Sequence, residues 1–108
     1  MEKEEMIEKG KKPLVFSFNE RGDYLRGKVQ GFQNVEVKGK ELEAVIIEDD
    51  NGRVWSTLLT SGLKPLKEMV GMGVEIWYQG LVKLENGYRY KKFEIIKLAE
   101  AGIFQNLI

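Results

Sequence analysis

Residues Gly22 to Val37, GDYLRGKVQGFQNVEV, constrain the fold of this chain more than any other stretch. They read as one long strand punctuated by glycine. Leu25, Gly27, Val29 and Gly31 share one parity, and Tyr24, Arg26, Lys28, Gln30 and Phe32 share the other. Successive strand side chains point to opposite faces, so one face is small and apolar and the other basic and aromatic. Glycine inside a strand marks a bulge, a tight bend or a close backbone approach. Gly27 and Gly31 therefore let a single strand bend far enough to serve two sides of a small barrel.

The remaining elements follow in order. Leu14, Phe16 and Phe18 alternate with Val15, Ser17 and Asn19, which predicts a short leading strand or extended segment packed on the barrel. After a turn at Gly39, the segment Glu41 to Glu48 is a second strand, apolar enough on both faces that pattern alone does not choose its core side. Asp49-Asp50-Asn51-Gly52 is a hairpin turn, since Asn-Gly accepts the positive φ angles of a tight reversal. Arg53 to Leu59 is the third strand. Between Ser61 and Val70 the period changes, with Leu63, Leu66, Met69 and Val70 on one side. Pro65 suits a first helical turn, and Gly71 and Gly73 stop the helix. Val74 to Leu84 and Tyr88 to Leu98 are the fourth and fifth strands, joined by a second Asn-Gly turn.

This order predicts an all-β domain: a five-stranded OB-fold Greek-key barrel with one short helix between the third and fourth strands. An SH3-like barrel, the rival, does not normally place a helix there. The barrel takes residues 13–98. Residues 1–12 form a flexible charged arm, and residues 99–108 an apolar tail.

Composition narrows the chemistry. The 108 residues contain no cysteine and no histidine, which removes disulfides, the usual zinc ligands and the usual neutral-pH general base. No phosphate loop or nucleophile motif is present, so no catalytic residue, metal or cofactor is expected. No apolar run is long enough to span a bilayer and the N-terminus has no apolar signal region, so a cytoplasmic protein is expected, in host cytoplasm if viral. The net charge is zero, the strongest fact against a nucleic-acid role, though it permits a binding face made from local basic clusters.

Four pieces carry a resemblance. They are Gly22-Asp23-Tyr24-Leu25-Arg26-Gly27-Lys28-Val29, the Asp50-Asn51-Gly52 turn, Gly73-Val74-Glu75-Ile76-Trp77-Tyr78-Gln79-Gly80, and Asn86-Gly87-Tyr88 with Tyr90-Lys91-Lys92-Phe93-Glu94. In order and spacing they resemble the small OB-fold single-stranded-DNA-binding proteins of phages and prophages. The resemblance implies a non-enzymatic, sequence-tolerant binder of single-stranded DNA, with RNA a second candidate, acting in viral replication or recombination. The tail departs from the acidic, aromatic-tipped tail typical of the bacterial proteins.

Single strands are held by bases stacking on aromatics while cations follow the phosphates. The second and third strands supply the usual oligonucleotide face of an OB-fold, so Trp55, with Arg53 beside it, is the first candidate. The bland alternative packs Trp55 under a loop or the N-terminal segment. Arg26, Lys28 and Phe32 would extend that surface, and Lys38 and Lys40 lie in the first loop. Tyr88, Arg89, Tyr90, Lys91 and Lys92 form the densest basic and aromatic cluster, with one of the two tyrosines expected in the core. Trp77 faces away from Val74, Ile76 and Tyr78, toward a ligand, a barrel contact or a dimer. The Glu48-Asp49-Asp50 run reads as a solvated hairpin tip rather than a metal site. The other function class is a protein-interaction OB module in a replication or structural assembly. Self-association is expected through Phe104, Leu107 and Ile108 or an exposed sheet edge.

Overall fold

The computed structural model describes residues 13–98. The arm, the tail and the expected contacts of Phe104, Leu107 and Ile108 lie outside the described residues. The fold is all-β with one short helix: β1 (Leu14–Val15), β2 (Tyr24–Val37), β3 (Lys40–Glu48), β4 (Val54–Leu58), a 3-10 helix (Ser61–Glu68), β5 (Gly73–Lys83) and β6 (Arg89–Lys97). All six strands join one sheet, in the order β1-β4-β3-β2-β5-β6. Among the described residues no helix is long and apolar enough to cross a membrane.

The long strand does serve two neighbours. Tyr24 to Lys28 pair with β5, and Lys28 to Val37 pair with β3, both antiparallel. The changeover is a bulge between Val29 and Gly31. There Val29 bonds the chain outside the ladders: its N–H donates to the Met72 carbonyl, and its carbonyl accepts from Gly71 N–H. At Gly27 the strand runs close against the end of β3. A β-carbon there would lie 2.8 Å from Ile47 Cγ2 and closer still to the Glu48 carbonyl oxygen. Only glycine lets β2 and the end of β3 approach this far.

The inward faces build one core. Leu25 and Val29 from β2, Val45 and Ile47 from β3, and Val74, Ile76 and Tyr78 from β5 are buried in it. The undecided face of β3 is thus settled by Val45 and Ile47. The helix adds Leu63 and Leu66. Three residues per turn stack Leu63 and Leu66 of this 3-10 helix on one stripe, which Met69 continues at the C-cap. Pro65 sits inside the helix, not in its first turn as the sequence reading had it.

The expected five-stranded closed barrel is not formed. The sheet stays open between β4 and β6, and it has a sixth strand. That strand is β1, paired in parallel with β4 through Leu14↔Trp55 and Val15↔Ser56. The chain beyond it lines the gap as a chain of rings. Phe16 meets Trp55 edge-on at 5.6 Å and Phe18 at 4.8 Å, and Phe18 meets Phe93 of β6 at 5.0 Å. Lys91 Nζ donates to the Phe18 carbonyl at 2.6 Å, tying β6 to this segment. The helix closes the same gap from the other side. A β-carbon on Gly62 would come within 2.8 Å of the Lys91 carbonyl oxygen.

Candidate functional site

The second Asn-Gly turn makes a hairpin that projects. β5 pairs with β2 only as far as Trp77↔Tyr24, yet it continues with β6 through Gly80↔Lys92, Leu81↔Lys91, Val82↔Tyr90 and Lys83↔Arg89. Residues 79–92 are therefore a two-stranded arm, anchored at its base by Arg21 on Gln79 and by Lys91 on Phe18. It carries four cations, Lys83, Arg89, Lys91 and Lys92, against one acid, Glu85, in a chain whose net charge is zero. Tyr88 is 71% exposed and Tyr90 40% exposed, so neither is the core residue the sequence reading expected one of them to be. Among the described residues neither ring packs on another aromatic. Arg89 and Lys92 are exposed beside them.

Lys91 is the exception in this cluster. Besides the Phe18 carbonyl, its ammonium lies 5.4 Å from the centroid of the Tyr78 ring. It holds the seam together and is not free for a phosphate.

Trp77 faces outward and is not alone. Tyr24 of β2 stacks on it, with ring centroids 4.5 Å apart and planes 13° from parallel. The indole N–H donates to Glu75 Oε1 at 3.0 Å. Glu75 Oε2 in turn accepts from Arg26 Nη1 at 2.9 Å, and Arg26 Nε lies 3.2 Å from Asp50 Oδ2. The Trp77 hydrogen bond, then the Arg26 guanidinium, hold the Glu75 carboxyl below its usual range. Arg26 is thus an ion-paired residue rather than an unclaimed phosphate ligand. Tyr24 was missed in the sequence because its partner is set by cross-strand register, which composition and parity do not reveal.

Trp55 sits differently in the sheet. It lies on the core side of β4, half-buried, paired with buried Ile47 and packed edge-on against Phe16. Its N–H donates to Asp49 Oδ2 at 2.9 Å. That bond is the main reason the Asp49 carboxyl titrates below its usual range. Beside Trp55 is a shallow cleft of about 280 Å³, also lined by Tyr24, Arg26, Asp49 and Asp50. Of the carboxylates at its rim, Asp50 pairs with Arg26 and Asp49 accepts from Trp55, so among the described residues the lining of this cleft leaves no cation unpaired for a phosphate. The bland alternative, packing against the N-terminal segment, describes this tryptophan.

Phe32 also turns inward. The bulge shifts its parity, so it pairs with buried Val45 and packs on the core, with Lys67 Nζ 5.2 Å from its ring centroid. Lys38 and Lys40 lie at the first hairpin turn. Val37↔Lys40 closes a two-residue turn, with Lys38 at φ +51° and Gly39 at φ +80°. Lys28, Lys38, Lys40 and Arg53 are exposed, but none joins the arm's aromatic row. At the hairpin tip each acid has a protein partner: Glu48 with Gln30, Asp49 with the turn N–H groups and Trp55, Asp50 with Arg26.

An apolar cleft of about 440 Å³ runs along the open seam. Val35 and Val37 of β2, Leu58 of β4 and Phe93 of β6 line it, and the chain's own Phe16 and Phe18 form another part of its wall.

No family model, curated protein or solved structure matches this chain.

Proposed function

We propose that this chain binds single-stranded DNA with little sequence preference, and that its sheet is an OB-type barrel left open at one seam. The order β4-β3-β2-β5-β6, with the helix between the third and fourth of these strands along the chain, supports the OB reading. One observation carries the binding reading: a projecting hairpin in a neutral chain concentrates three exposed cations, Lys83, Arg89 and Lys92, and two unstacked, exposed tyrosines. Rings with a free π-face accept any base, and neighbouring cations neutralise phosphates. The viral replication setting rests on the sequence resemblance alone.

The test is a fluorescence anisotropy titration with a labelled, mixed-sequence oligonucleotide of about 20 nucleotides, above the usual site size of one such module. Binding should weaken with salt. With Lys83, Arg89 and Lys92 as phosphate ligands, the log–log slope should be about −2. Replacing Tyr88 and Tyr90 by alanine should cost at least about tenfold in affinity. A wild-type chain that binds nothing at tens of micromolar overturns the reading.

A protein-docking arm is the second reading, favoured by Leu81 and Leu84, both exposed on the same hairpin. It requires an arm that takes no oligonucleotide and a chain that self-associates in sedimentation, with Leu81→Lys abolishing the association.

A further inference from the structure

We propose that the Tyr24–Trp77 stack is a second base-stacking subsite, and that a bound strand crosses the outer face of β5 and β6 instead of entering the apolar seam. This rests on the single-strand reading above and names the path of the strand.

Register places the groups. On β6, Tyr90, Lys92 and Glu94 occupy one strand face, and Tyr88 precedes them with the same parity. The opposite parity, Phe93 and Ile95, packs on the core. Glu94 pairs with Trp77, and Trp77 pairs on its other side with Tyr24. One outward row therefore runs from Tyr88 through Tyr90 and Lys92 to the Tyr24–Trp77 stack. From Tyr88 to Glu94 it spans about 20 Å, at about 3.4 Å per residue. It offers three stacking positions, with the Lys92 ammonium between the second and the third. Arg21 stands beside the middle of the row, its Nε donating to the Gln79 carbonyl at 3.2 Å next to Gly80, the partner of Lys92. Glu94 is the acid of the row, and the negative charge of Glu75 and Asp50 is met by Arg26.

The stack is built to receive a ring. Tyr24 lies flat on Trp77 and is itself 48% exposed. The indole is fixed through Glu75 to Arg26 and on to Asp50. Groups already held in place lose little freedom when a base joins them. The seam is the poorer path. Phe16 and Phe18 of the chain itself lie along it, Lys91 is spent on the Phe18 carbonyl, and Trp55 faces Asp49.

A stacked cross-strand pair also stabilises a sheet with no ligand at all, so the test must separate binding from stability. Tyr24→Leu keeps an apolar cover on Trp77 and removes the ring, while Tyr24→Phe keeps the ring. Each variant is titrated with a DNA and, separately, an RNA oligonucleotide, and its urea midpoint is measured. Trp77 emission is followed in a Trp55→Phe background. The expected result is quenching of Trp77 by oligonucleotide and about tenfold weaker binding by Tyr24→Leu. The urea midpoint stays near wild type, and Tyr24→Phe binds as wild type does. Should Trp55→Phe not fold, the Tyr24 variants with Trp55 intact decide the matter. Wild type that binds and loses affinity on Tyr88 and Tyr90 replacement, with Tyr24→Leu binding equally well, overturns the subsite and leaves the arm reading standing. Wild type that binds neither oligonucleotide overturns both. The stronger-binding oligonucleotide identifies the sugar.

Discussion

At the scale of single residues, position in the sheet decides what a side chain can do. Trp55 and Trp77 have similar strand surroundings in sequence, yet one is committed to Phe16 and Asp49 while the other carries a stacked tyrosine on the outer face. Gly27 shows the same dependence from the packing side. A methyl group there meets the Glu48 backbone carbonyl, which cannot swing aside as a side chain would. Gly27→Ala should therefore lose about 1–3 kcal/mol, the range for overpacking a filled core. Urea unfolding measures it, and an unchanged midpoint would show that β3 yields after all. The sequence reading placed glycine here for strand curvature, and that much was legible because a glycine at an inward strand position has few other uses. The inward turn of Phe32 was not legible. A bulge adds one residue to one strand and reverses every parity after it, and only the partner strand reveals it.

At the scale of elements, the hairpins at the two Asn-Gly turns were readable in place but not in length. Asp49 N–H donates to the Arg53 carbonyl and Leu84 N–H to the Tyr88 carbonyl, so three residues close each turn. Gly52 and Gly87, but not Asn51 or Asn86, take positive φ. The β3–β4 hairpin depends on one carboxylate. Asp49 accepts the N–H groups of Asn51 and Arg53 through Oδ1 and the Trp55 indole through Oδ2. Its carboxyl titrates below the ordinary 3.8, so the folded state favours the charged form. The stabilisation is therefore complete above that ordinary value and is lost as pH falls through the lowered one. Stability should be flat from neutral pH to about 5 and fall below about 4. Asp49→Asn cannot accept the indole through its amide nitrogen. It should be less stable than wild type at neutral pH and should converge on it in acid. Urea melts across that range test this, and a variant with the full wild-type acid slope would assign the loss to other groups, Glu75 and Asp23 first. The helix was legible in place but not in kind, because three-residue spacing of Leu63, Leu66 and Met69 is also found on α-helices.

At the scale of the whole molecule, the all-β architecture and the order of five strands were written in alternation and turns. The open seam was not, because ladder closure depends on distances between strands far apart along the chain. That seam has a consequence for the order of events in folding. The three hairpins and the helix join near neighbours, whereas Lys91 and Phe18 are 73 positions apart. Contacts of such separation carry the largest loop-closure entropy and form late. Phe18→Leu should cost roughly 1–2 kcal/mol, within the ordinary span for a core replacement. Nearly all of it should appear as faster unfolding, with the refolding limb of the chevron almost unmoved. An equal change in both limbs would place the seam in the folding nucleus. Because the seam forms last it also opens first, so the lifetime of the folded state is governed by how firmly a short N-terminal strand and one lysine hold the two edges together.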